Sequence, residues 1–496
     1  MNTNHMHTRA HVLADGSYAR GAHSTDAHSD GHLERKLTSA QVSMIGLAGA
    51  LGTGLFLGSG STIAWGGPAT IISYVLAGFV ALIVVFEMAE MVSVHPVPGG
   101  FGAVAGAYLG PLGGYLVRWN IVITLVIAIG AEVTASATYL QHWFPSLPLG
   151  IGTLGCAALI LAMNFLTVKL YGTSEYWFSM IKVVAIVVFI LLGLSLILFG
   201  WPSPNDPIGF SHLTADGGFA PNGITGILIA ACISVFSFGG LENVAVSAAE
   251  AEHPERDLPR AARNMIFRLF LFYVLAIAVV VTLQPWSETA ASGSQLDASP
   301  FVKVMDAAGI SAAGHIMNAV LIVAALSAAN GCLYGASRMI HSLALDGLAP
   351  SFSAHTAANG TPRRAIIMVM CGVAASAILA IVAPDTAFFY LAGCATVGTL
   401  VSWVLISATH LAFRRKRQAM RDAGVNVRPA PTHLWGAPAT PIVVIVASVA
   451  IGIALLVPMP EVWIAGLPYL VLLFVSYALI KRLHGTRAQQ TLVLGE

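Results

Sequence analysis

Apolar stretches of about twenty residues recur along almost the whole chain, separated by short polar or Gly/Pro-rich connections. That is the length an α-helix needs to cross the hydrocarbon core of a bilayer. Windows of this kind predict about twelve membrane helices, near 42–64, 68–93, 115–143, 149–168, 177–200, 221–249, 264–285, 308–342, 364–383, 386–412, 438–457 and 462–481. The first window does not read as one uninterrupted helix. Gly52-Thr-Gly54 sits at its middle, and Gly costs about 1 kcal/mol relative to Ala in a helix interior. A break there frees backbone N–H and C=O groups at depth, which is tolerated only where they are buried in protein or line a cavity. Five helices later the sixth window carries Phe236-Ser-Phe-Gly-Gly-Leu-Glu242. Glycine-interrupted helices at corresponding positions of two five-helix halves point to a midplane binding site of a secondary transporter.

Composition sharpens the class. Hydrophobic residues make up 56% of the 496, charged residues 9%, and mean hydropathy is +0.79, whereas soluble domains carry about 25% charge. A soluble globular protein is excluded, and the fold class predicted is an all-α polytopic membrane protein. With a net charge of +1 and no basic block interleaved with aromatics, nucleic acid is not a partner; the lipid bilayer is. The five cysteines show no CxxC spacing and read as small buried hydrophobes rather than a disulfide frame or metal site. No Ser/His/Asp set, phosphate loop or metal cluster is present, so neither an enzyme, a cofactor nor ATP drive is expected.

Lys and Arg set the orientation. Arg118, Lys169, Lys182, the 256–268 group, Arg338, Arg363, Arg364, the run Arg414-Arg-Lys-Arg417 and the C-terminal basics all fall on even-numbered connections or the tail, leaving Lys303 for the other side. Both termini are therefore expected in the cytosol, in a multi-pass protein of the cytoplasmic (inner) membrane. The segments follow: a disordered cytosolic tail over 1–36, polar and His-bearing, without a signal-peptide core; a transporter core over 37–412; a basic cytosolic loop over 413–437; two further helices over 438–482; and a cytosolic tail over 483–496.

Ionisable residues inside membrane helices cost about 2.5–3.5 kcal/mol each on insertion scales and default to functional hypotheses. Four stand out. Glu132, deep in the third helix, either lines a substrate cavity or carries a proton. Lys182 falls near the cytosolic start of the fifth helix, where it either snorkels or cycles a proton after desolvation. Glu242 lies just past the sixth-helix break, steadying it or coupling gating. Glu90, near the inner end of the second helix, reads as structural.

Several separated motifs give the chain a family likeness. Gly52-Thr-Gly-Leu-Phe-Leu-Gly-Ser-Gly60, Gly67-Pro68, Glu175-Tyr-Trp-Phe-Ser-Met-Ile-Lys-Val183, Phe238-Gly-Gly-Leu-Glu242, Pro254 through Pro259-Arg-Ala261, Ser299-Pro-Phe301 and Ser337-Arg-Met339 occur in order. Over about 37–350, and more loosely to 417, the chain resembles a bacterial amino acid permease of the amino acid transporter family, in the amino acid/polyamine/organocation superfamily. The resemblance implies a five-plus-five inverted repeat with helices 1 and 6 broken, two added helices, and alternating access. It implies that an α-amino acid enters by proton symport; an amino acid or polyamine exchanger on the same fold is the alternative. Backbone N–H groups freed at a half-helix suit a carboxylate. With the family positions matched, the Thr53 Oγ and the Gly54 N–H would take the substrate carboxylate and the carbonyls of Ala50, Phe236 and Gly239 its ammonium, with Gly52 also in the substrate site. Phe236 or Phe238 would cap the side chain as a gate. In sodium-independent members of that family a lysine matching Lys182 stands where relatives bind sodium.

Overall fold

The computed structural model describes residues 9–12, 18–21, 38, 40–41, 44, 51–96, 99–165, 168–201, 207–241, 254–291, 299–307, 312–357, 360–457 and 460–484, and structural statements refer to these. Helix occupies every one of the twelve windows. In chain order the helices are α1 (Thr53–Phe56), α2 (Gly58–Gly66), α3 (Thr70–Val94), α4 (Gly100–Leu109), α5 (Pro111–Gln141), α6 (Leu149–Asn164) and α7 (Val168–Phe199). Then come α8 (Gly223–Ser234), α9 (Pro254–Leu269), α10 (Ala276–Leu283), α11 (Trp286–Ala291) and α12 (Pro300–Ala307). The chain continues with α13 (Ala313–Leu345), α14 (Arg363–Val382), α15 (Ala387–Asp422), α16 (Ala439–Ala454) and α17 (Glu461–His484). Seven stretches are long and apolar enough to cross a membrane, accompanied by four shorter apolar helices. Within the N-terminal tail, strands Arg9–Val12 and Tyr18–Gly21 pair antiparallel; the rest of 1–36 lies outside the described residues.

The packing follows the two-halves pattern. Windows one and six pack together (α2 on α8), as do two and seven (α3 on α9), three and eight (α5 on α13) and four and nine (α6 on α14). Helix α13, which packs on α5, carries the buried small residues Ala324, Ala325, Ala328 and Ala329. Small side chains let backbones approach where lipid offers no hydrophobic drive for helices to associate. In keeping with a lipid-facing exterior, Ile151, Leu191, Ile381 and Val446 project outward on α6, α7, α14 and α16, each more than 60% exposed.

Two departures from straight helix place the site. At the first break, Gly52 is extended (φ −115°, ψ −166°), ahead of the single turn of α1. At the second, α8 tightens into a 3-10 turn over Val235–Phe238 and leaves helix at Gly239 (φ −62°, ψ 146°). The two breaks abut. A Cβ on Gly54 would stand 2.6 Å from Ser237 Cα and 2.9 Å from its N, so only glycine fits there. Between α9 and α10, Phe270–Leu275 widens into a π turn, and the Tyr273 hydroxyl donates to the Ser237 carbonyl at 2.9 Å.

Candidate functional site

A narrow cavity opens beside the two breaks. Glu132 of α5, Phe236, Gly239 and Gly240 of the second break, Ala328 of α13 and Thr399 of α15 line it, with Ile121, Thr124 and Leu125 completing the apolar wall. Its free volume is about 30 Å³, on a scale where one water needs about 10–15 Å³. An amino acid does not fit until a lining group moves. Glu132 is the single carboxylate in the lining, which also holds the Cys332 thiol.

The first break meets that cavity through Glu132. The Thr53 backbone N–H lies 3.2 Å from both Glu132 Oε1 and Oε2. The Thr53 hydroxyl is buried beside the same carboxylate without being aligned for a hydrogen bond. A Cβ on Gly52 would lie 2.5 Å from Glu132 Oε1. Gly52 thus leaves room for the carboxylate that docks against it, whereas Gly54 is required by the Ser237 backbone.

The aromatic pair divides. Phe236 is half-buried, lines the cavity, and meets Phe388 edge-on at 6.1 Å. Phe238 is fully buried, stacked on Tyr273 at 4.9 Å with Tyr74 edge-on at 6.1 Å. Gly239 lines the cavity, and its N–H returns to the Phe236 carbonyl at 3.1 Å. Ala50 and Glu242 lie outside the described residues.

Lys182 is not a helix-end residue. Its helix starts at Val168 rather than near 177, because Tyr171 to Glu175 continue the helix instead of forming a connection. Lys182 is fully buried in mid-helix, so the snorkelling reading falls. Its Nζ donates to Ser327 Oγ at 3.1 Å and to the Leu51 carbonyl at the first break at 3.4 Å. Ser327 Oγ in turn donates to Glu175 Oε2 at 2.7 Å, and Asn330 Nδ2 donates to Glu175 Oε1. Lys182 is also within electrostatic reach of both Glu175 and Glu132. Glu175, quoted above only within a motif, therefore belongs to the Lys182 cluster and was not singled out among the ionisable residues. Its signal was available: it sits seven residues before Lys182, two turns away on the same helix face.

Arg118 and Arg338 likewise lie within helices, not connections. Arg118 is buried and paired with Asp346 at 2.6 Å, and Arg338 lies over the Tyr334 ring, itself stacked on Tyr171 at 4.1 Å. The positive-inside argument rests on the remaining basics. Helix α15 continues past 412 to Asp422, so Arg414 to Arg417 are helical and the basic loop is shorter than expected.

Glu90 sits apart from the cavity in a different setting. It accepts from His410 Nε2 at 2.9 Å, from Arg414 Nε at 3.1 Å and Nη2 at 2.7 Å, and from the Leu434 N–H at 2.9 Å. This ties α3 to α15 and to the segment after it.

Comparison with known proteins decides the family. Residues 41–486 match the family described as Amino acid permease. The chain belongs to the amino acid permease family. Permeases of this family are transporters, and the chain is accordingly a polytopic membrane transporter rather than an enzyme. It is 37% identical over 396 residues to the aromatic amino acid transport protein AroP of Escherichia coli strain K12, covering 80% of this chain and 84% of that protein. It is 35% identical over 390 residues to the probable threonine/serine transporter YbxG of Bacillus subtilis, covering 79% and 83%. AroP of Salmonella typhimurium strain LT2 is 36% identical over 405 residues, covering 82% and 86%.

Proposed function

We propose that this permease imports a neutral α-amino acid across the cytoplasmic membrane by proton symport with alternating access, both termini facing the cytosol. The observation that carries the coupling is Lys182, fully buried and bridging the first-break carbonyl of Leu51 to Ser327 and, through it, Glu175. A lysine so placed holds α7 and α13 to the broken helix while charged, and releases the carbonyl when it gives up its proton. Movement of the broken helix thereby becomes linked to proton movement. A neutral substrate is supported by a lining with one carboxylate and no base, and by relatives named for aromatic amino acids and for threonine and serine. The core over 37–412 is the moving unit in this reading, with 438–482 packed outside it.

Uptake into proteoliposomes tests it. Phenylalanine or threonine should accumulate under an inward proton gradient and be indifferent to sodium. Lys182→Ala should lose gradient-driven accumulation by at least about tenfold while keeping counterflow exchange, which does not require an empty, reprotonated carrier. Sodium-driven accumulation, or accumulation that survives in Lys182→Ala, removes Lys182 from coupling. Efflux that requires external substrate in the wild type establishes the exchanger instead.

A further inference from the structure

We propose that Glu132 is a tethered stand-in for the substrate carboxylate, and that substrate binds by exchanging its own carboxylate for that of Glu132 at the Thr53 N–H. This rests on the reading of the protein as an amino acid transporter and adds the step by which substrate enters.

The geometry points one way. The backbone N–H freed at the first break is already occupied, and by a carboxylate, with both oxygens 3.2 Å away. Gly52 gives that carboxylate its room, since a Cβ there would fall 2.5 Å from Oε1. The cavity beside it has room for about two waters, so an amino acid cannot be added next to Glu132 as a further ligand. It must replace something. Replacing one carboxylate by another costs least, because the donor stays satisfied and the buried charge count at that point is unchanged.

The displaced side chain then needs a partner. The titratable groups in electrostatic contact with it are Lys182 on α7, Tyr139 on its own helix and Tyr273 in the π turn; α13 offers the apolar Ala328 and, in the same cavity, the Cys332 thiol. Lys182 is the one cation among them. Release of Glu132 therefore ends either in a proton on its carboxylate or in a turn toward Lys182, and both tie substrate arrival to proton occupancy. A proton on the displaced carboxylate keeps it from competing for the Thr53 N–H, whereas the substrate carboxylate, with an ordinary α-carboxyl pKa of about 3.5, stays ionised at pH 5 and above. Glu132 lines the site without being a ligand of the bound substrate.

Equilibrium binding of radiolabelled L-phenylalanine and L-threonine to the purified full-length protein tests this, in Glu132→Gln and in Glu132→Asp. The Asp variant keeps a buried carboxylate but is one methylene shorter, too short to span to the Thr53 N–H. The expected result is tighter binding of the transported probe in both variants at pH 7.5, by about tenfold for Gln, the size of one lost competing charged hydrogen bond. Wild-type affinity should rise between pH 8 and pH 5, and that of Glu132→Gln should stay level. Phenethylamine, which has no carboxylate to exchange, should gain nothing from Glu132→Gln. Equal or weaker amino acid binding in the variants, with the wild type binding normally, overturns the exchange and makes Glu132 a partner of the substrate ammonium. Absence of saturable binding of either probe to the wild type and both variants overturns the amino acid reading itself.

Discussion

Glu90 and Glu132 are carboxylates buried to within a few per cent in helices of one largely apolar chain, and they are held in opposite ways. Glu90 takes four hydrogen bonds, from a histidine, twice from an arginine and from a backbone N–H. Glu132 shares one backbone N–H between its two oxygens. A buried charge with every lone pair engaged is expensive to disturb, which suits a fastener between α3 and α15. A buried charge on a single shared donor can be exchanged for another anion at little cost, which suits a site that must empty and refill. The number of donors distinguishes the two acids, where burial and helix position do not.

Three experiments break or sharpen that contrast. The largest effect belongs to the break itself. Gly54→Val drives a branched side chain into the Ser237 backbone, 2.6 Å from the position of its Cβ. Backbone cannot swing aside as a flexible side chain can, so uptake should vanish while the protein still reaches the membrane. Measurable uptake with unchanged KM would mean that the two broken segments separate further than this structure shows.

Glu90→Gln comes next. It leaves Arg414 facing a neutral amide and should cost about 2–4 kcal/mol of stability, read as a lowered Tm in detergent. The pH profile of uptake per folded molecule should not move. If it does, Glu90 belongs to the transport cycle, and the contrast with Glu132 collapses.

The smallest effect concerns His95, just past the end of α3, whose Nε2 meets the Tyr108 hydroxyl at 3.0 Å. Burial, with the Arg417 and Arg428 charges nearby, pushes this imidazole down to about 3. Its folded pKa lies below the ordinary value of about 6.5, so the unfolded chain binds the proton more readily. Stability contributed by the neutral ring is then present above pH 6.5 and is lost as pH falls below it. His95→Gln should flatten the fall in Tm between pH 6.5 and 5 by a degree or two, with no change in uptake. An unchanged slope would place the acid sensitivity elsewhere.

The helices were legible because about twenty consecutive apolar residues have few other readings, and the breaks because glycine at Gly52, Gly54, Gly239 and Gly240 contradicts its surroundings. What escaped was pairing across distance. Glu132 lies 79 residues from Thr53, and Glu90 lies 320 residues from His410, so nothing local marks one carboxylate as loosely held and the other as saturated. The start of α7 was misjudged for a related reason. Tyr171-Gly-Thr-Ser-Glu175 is polar enough to read as a connection, yet Glu175 is accommodated inside the bundle by Ser327 and Asn330 of α13. A polar run in a membrane helix is recognised only once its partners are known. Phe236 and Phe238 illustrate the finer limit: two residues apart, they fall on different faces of any helix, but periodicity does not tell which face meets the cavity and which the packed core.

The π turn at Phe270–Leu275 is in effect one residue too many for its length of helix, held in place because Tyr273 is bonded to the Ser237 carbonyl and stacked on Phe238. Such a surplus behaves like a dislocation in a crystal. It can be passed along the helix a residue at a time, and each step turns the side chains it crosses by about 100° and slides them by about 1.5 Å, with no hydrogen-bond ladder broken end to end. Moving it past Tyr273 would swing that ring off the second break and free the Ser237 carbonyl.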